Sequence, residues 1–148
     1  MGNSMNISLS AKDKQLEVTN EQGYTWQLSG KDNPGIRPME YFLSGVVGCI
    51  AVDLVHILQR MRVGEVDWHM TASGIRANSV PAYYEALTLQ FYFEIDSLLE
   101  TKLARALSMS INKYCSAVWS LHANIVIVTT LFNHQNQIHE FTTRNPRH

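Results

Sequence analysis

Cys49 and Cys115 are the only cysteines of this 148-residue chain, and each lies inside a long apolar segment. A thiolate is a nucleophile, and two thiols that meet can close a disulfide that an external dithiol reopens. Apolar burial disfavours the charged form of any thiol, so a buried pair that reacts needs a cation or a hydrogen-bond donor beside it. Cys49, Asp53 and His56 also fall at i, i+4 and i+7 of one apolar run, a spacing that suggests a cysteine–histidine hydrolase. Seven residues rise about 10 Å along a helix, which takes His56 out of reach of Cys49. Asp53 is therefore read as the neighbour that satisfies an internal His56. His122, His134, His139 and His148 form no tight pair on one element, so neither a metal site nor a cofactor is expected from them.

The charge balance narrows the partners. Twelve Lys and Arg against thirteen Asp and Glu give a formal charge of -1 and a pI of about 6.6, and the basic residues are scattered. Such a chain has no electrostatic footprint for nucleic acid or for an anionic membrane. Residues 1–16 lack the unbroken apolar core and small-residue cleavage site of a secretory signal, which points to a cytoplasmic location. There a cysteine pair rests reduced and serves more readily in catalysis or redox sensing than as a permanent staple.

The elements that must position the cysteines follow from periodicity. Residues 5–10, 15–19 and 24–29 alternate apolar and polar with turn residues between them, as an antiparallel meander does. Pro38 suits a first helical turn. From Tyr41 to Leu58 the run YFLSGVVGCIAVDLVHIL leaves no polar stripe, so a helix buried on most sides is expected. Asp53 inside the run and Gln59, Arg60 and Arg62 behind it argue against a membrane span. One small domain has difficulty covering so apolar a helix, and a homodimer is expected to share it. Residues 66–74 and 83–95 read as strands, and Ser97-Leu98-Leu99-Glu100 as a capping box that starts a second helix towards Cys115. Residues 116–122 read as a further helical turn and 124–132 as a last strand. A single domain over 1–148 is expected, with 133–148 an extended or mobile tail.

This order of elements, together with particular residues, resembles the OsmC/Ohr family of hydroperoxide-reducing proteins. The residues are Pro38-Met39-Glu40-Tyr41-Phe42-Leu43, Gly48-Cys49, Asp53-Leu54-Val55, Leu103-Ala104-Arg105-Ala106 and Lys113-Tyr114-Cys115-Ser116. The resemblance covers residues 23–132. It implies an α+β, two-layer fold with antiparallel sheets wrapped around two central helices in an intertwined homodimer. It also implies a thiol-dependent peroxidase that serves oxidative stress defence. In that implied reaction Cys49 attacks an organic hydroperoxide and becomes a sulfenic acid, Cys115 closes a disulfide with it, and a dithiol reductant restores both. Tyr41, Phe42, Tyr114 and Trp119 are expected to line the pocket for the hydroperoxide or another apolar ligand.

The chain departs from the family's peroxidases at two places. They carry a glutamate directly after the helix-start proline, where Met39 stands here and Glu40 follows. They also hold an arginine from the first strands, whereas residues 1–35 contain none and Arg37 is the nearest. Arg37 and Glu40 are therefore expected to supply the polar partners of the cysteine pair. The alternative from another class is a non-catalytic relative that binds a small apolar or electrophilic ligand, or senses redox state, in the same cleft.

Overall fold

The alternating residues at the start of the chain form a three-stranded antiparallel sheet of β1 (Ile7–Lys12), β2 (Gln15–Asn20) and β3 (Thr25–Leu28), in that order. The computed structural model describes residues 2–30 and 34–144. The register pairs Leu9 with Val18 and Val18 with Trp26, which puts these apolar side chains on one face. The first hairpin turns on Asp13 and Lys14, at φ 50° and 65°. Two left-handed central residues match the twist of the flanking strands. The second turn is held by the Asn20 carboxamide oxygen, which accepts from the Gln22 and Tyr24 N–H groups at 3.1 and 3.0 Å.

The chain divides into two compact units, Met1–Ser44 and Gly45–His148. The helix α1 (Pro38–Arg60) begins in the first and supplies its remaining length to the second. By length and composition α1 could cross a membrane, with a mean hydropathy of 1.9 over its most apolar stretch. In the second unit Val46, Ile50, Leu54, Ile57 and Leu58 form a buried stripe on it, whereas Val52 and Val55 are exposed. A helix buried on most sides was expected; this one is buried along one stripe only. His56 is exposed, so the expected internal histidine paired with Asp53 is not there.

The rest of the second unit is a four-stranded sheet of β4 (Trp68–Arg76), β5 (Tyr84–Phe93), β6 (Val126–Asn133) and β7 (Asn136–Arg144), in that order. The purely antiparallel sheets expected from the resemblance are corrected here, because β5 and β6 pair in parallel. Between those strands run α2 (Glu100–Met109), a wide turn at Ser110–Tyr114 and one further helical turn, α3 (Ser116–Trp119). A helical crossover of this kind returns the chain to the end where β5 began, so the next strand runs parallel to it. Leu87, Leu89 and Phe91 of β5, Ile127 and Leu131 of β6, and Leu103 and Leu107 of α2 are buried to within 1% of full burial and make the core.

Two further expectations change. Asp96 caps the turn before α2, its carboxylate accepting from Leu98 N–H at 2.9 Å, and Glu100 is bonded by the Asn133 carboxamide at 2.7 Å rather than reaching back to Ser97. The segment expected to be an extended or mobile tail is the ordered strand β7 as far as Arg144, and residues 145–148 lie outside the described residues. The β6–β7 hairpin turns on His134 and Gln135, at φ 48° and 68°. Those residues carry none of the Asn-Gly signal that marks such turns.

Candidate active site

Cys49 sits mid-helix on α1, one residue before buried Ile50, and Cys115 sits where the wide turn after α2 meets α3. The turn is wide because Cys115 N–H donates to Ser110 C=O, five residues back, at 2.9 Å. Such π-type turns insert a residue and re-aim the side chains beside them. Ser110 locks the turn onto α1: its hydroxyl, fully buried, donates to Ile50 C=O at 2.9 Å. This bond bridges sixty residues of sequence and ends one residue from Cys49. In the sequence Ser110 is only a position in a helical repeat, and no signal marks it.

The result is a cluster of three donor atoms. The Cys49 sulfur, the Cys115 sulfur and a carboxylate oxygen of Asp53 all lie within 4.8 Å of one another. Both cysteines are free thiols. Cys115 is completely buried, while Cys49 is partly accessible. Burial pushes the Cys115 thiol up to about 12; the Val118 N–H pulls the other way, the neighbouring Cys49 adds to the rise, and the Ala117 N–H pulls down. Asp53 Oδ2 is buried with no hydrogen-bond partner among the described residues. Asp53 stands out in the sequence, one helical turn after Cys49, but its spacing assigns it to His56. Two thiols and a carboxylate at this separation could also hold a divalent ion, although a tetrahedral site would need a fourth donor.

The remaining expected site residues divide between the two units. At the start of α1, Arg37 N–H donates to Glu40 Oε2 at 2.8 Å, and the Arg37 guanidinium stands 3.7 Å from Glu40 Oε1. Both side chains are more than half exposed. Glu40 thus closes the N-terminus of the helix in the manner of a capping box, with Pro38 in the first helical position. Tyr41 is half-buried and Phe42 exposed in this unit. Tyr114 and Trp119, in the other, are 46% and 41% exposed, with Lys113 Nζ 5.2 Å from the centre of the Tyr114 ring. A groove of about 650 Å³ in the second unit, walled by Trp68, Tyr92, Glu65, Asp67, Glu94 and Asp96, includes neither cysteine.

Comparison with known proteins gives a consistent family. The model of a family described as OsmC-like protein matches residues 30–130. Protein YhfA of Escherichia coli K12 is 33% identical over 90 residues, which is 61% of this chain and 67% of YhfA. A hypothetical protein from Aquifex aeolicus VF5 superposes with a TM-score of 0.77 at 23% identity, over 89% of this chain and 97% of that one. The organic hydroperoxide resistance protein OhrB of Bacillus subtilis superposes with a TM-score of 0.59 at 13% identity, over 88% and 98%.

Proposed function

The chain belongs to the OsmC-like family, and on that footing we propose that it is a thiol-dependent peroxidase that reduces organic hydroperoxides through Cys49 and Cys115. One observation carries the reading: the sulfur of Cys49, a partly accessible residue, stands within 4.8 Å of the sulfur of fully buried Cys115. The partly accessible residue is the one a substrate can approach, and the fully buried one is left to react with its neighbour. Cys49 is accordingly the attacking thiol and Cys115 the resolving one.

The Cys49 sulfur attacks the terminal oxygen of the hydroperoxide. A sulfur–oxygen bond forms, the O–O bond breaks, and the alcohol leaves with one proton. The Cys115 sulfur then displaces that oxygen as water and closes the disulfide, and a dithiol reductant reopens it by exchange. Two electrons pass from the thiol pair to the peroxide, so no further cofactor is required. A reducing compartment such as the cytoplasm suits a pair that must start as free thiols.

A homodimer belongs to the same proposal. Ile7 and Leu9 are 67% and 55% exposed on β1, Val52 and Val55 are 59% and 42% exposed on α1, and Tyr114 and Trp119 are open to solvent. A second copy would cover apolar surface that a lone chain leaves wet. Tyr114 and Trp119 of the second unit would then offer aromatic surface to the hydrocarbon part of the substrate. A second reading uses the same pair as a redox sensor, and the high pKa of buried Cys115, which slows disulfide closure, favours it.

Steady-state consumption of cumene hydroperoxide with dithiothreitol separates the two. Peroxidase action requires turnover above a protein-free control, abolished in Cys49→Ser. Consumption that stops at one equivalent per chain would instead support sensing.

A further inference from the structure

We propose that Asp53 is the catalytic proton carrier of the cysteine pair, passing the Cys49 thiol proton to the departing alkoxide and then the Cys115 thiol proton to the departing hydroxide. This rests on the peroxidase reading and names the group that moves its protons. The ground is geometric. Asp53 follows Cys49 by one turn of α1, which puts the two side chains on one face. Its carboxylate oxygen lies within 4.8 Å of both sulfurs. Its Oδ2 is buried and bonded to nothing among the described residues. A buried polar atom without a partner is costly, and an apolar residue would fill the same place at lower cost. A carboxylate with one oxygen near two thiols and hydrogen-bonding capacity still unspent has the property a proton carrier needs.

The balance of the reaction shows where the protons go. In the first step sulfur is oxidised as it takes the terminal OH group, and the O–O electron pair leaves with the alkoxide. Asp53 accepts the Cys49 thiol proton and hands it to that alkoxide, so an alcohol departs and the carboxylate is restored. In the second step it accepts the Cys115 proton and hands it to the leaving hydroxide, giving water. Both thiols, one hydroperoxide and one carboxylate enter; a disulfide, an alcohol, water and the same carboxylate come out. Cys115 has the greater need, since burial pushes its thiol up to about 12 and free ionisation at neutral pH would be negligible.

An ionised Asp53 could equally act as a brake, since a negative charge opposes a thiolate. The two roles differ in sign, and the choice of electrophile separates them. Alkylation by iodoacetamide expels iodide, which takes no proton, whereas hydroperoxide reduction expels an oxygen that must take one. The experiment compares wild type, Asp53→Asn and Asp53→Glu for both reactions.

For Asp53→Asn, single-turnover reduction of cumene hydroperoxide is expected to fall by about a hundredfold, the usual worth of a positioned acid–base group. Alkylation of Cys49 in the same variant, which needs the thiol proton removed but none delivered to the leaving group, is expected to fall several-fold less than peroxide reduction. Asp53→Glu, which keeps the acid, is expected to recover part of the lost rate. Undiminished or faster peroxide reduction in Asp53→Asn would overturn the proposal, as would an equal fall in both reactions, which marks a structural role. A wild type that reduces no hydroperoxide defeats the peroxidase reading itself. An active wild type with an equally active Asp53→Asn defeats only the proton carrier.

Discussion

Two polar groupings, one at the start of α1 and one around its Cys49, are opposites. At its start Arg37 and Glu40 are exposed, bonded to one another and satisfied. Around Cys49 one thiol is fully buried and pushed far from its ordinary range, and one carboxylate oxygen is buried and unpaired. Water screens the first pair, so it contributes only the modest stabilisation of a cap and a surface ion pair. The second is less screened, and its unmet bonding capacity is available to a reaction. Being charged and near a helix does not distinguish the two in the sequence; burial does.

The largest effect that would break this contrast lies at Cys49. Cys49→Ser should remove hydroperoxide consumption entirely, and residual turnover would move the chemistry elsewhere. Cys115→Ser should allow one equivalent of peroxide to react and then stop, leaving a sulfenic acid at Cys49 that dimedone labels. Next comes Ser110→Ala, which deletes the buried bond to Ile50 C=O. It should destabilise the protein by about 1 kcal/mol and slow disulfide closure more than the first oxidation, which stopped-flow traces of the two phases would resolve. A thermal midpoint unchanged by this variant would remove the lock between the wide turn and α1.

The helix start should respond weakly. Glu40→Ala should cost about 0.5–1 kcal/mol in a denaturant titration through the lost cap, and Arg37→Ala less, and the rate of Cys49 oxidation in each variant measures whether the pair acts at the cysteines. A large loss of that rate in Arg37→Ala would bring the arginine into the site and dissolve the contrast. The buried thiol also imposes a pH dependence. Its ordinary value is 9.0 and its folded value about 12, so both states hold the proton below about 9 and stability is flat there. Above that the unfolded thiol ionises first, and stability should fall as pH rises towards about 12. Cys115→Ala should flatten this limb in urea titrations across the range.

Much of the fold is legible in the sequence because its signals are local. Pro38 marks the first turn of α1, period-two alternation marks β1 to β3, and aromatic, β-favouring composition marks β4 and β5, each within two residues of its ends. The strand β7 is not legible, because its hairpin turns on His134 and Gln135 rather than on residues that favour left-handed backbone. The parallel pairing of β5 and β6 is a property of the crossover between them, not of either strand's composition. In the site, the cysteines are legible as a pair. Asp53 is visible but its spacing assigns it to His56, because a helical stripe does not reveal which of its members faces protein: His56 is exposed and Asp53 Oδ2 is not. Ser110 is not legible, since its meaning is a bond across sixty residues.

The most direct measurement is a peptide map of the fully reduced protein after one equivalent of cumene hydroperoxide. A Cys49–Cys115 disulfide within one chain, two hydrogens lighter than the dithiol and formed at the rate the peroxide disappears, is the expected result. Peroxide left unconsumed with both thiols still free would contradict the account.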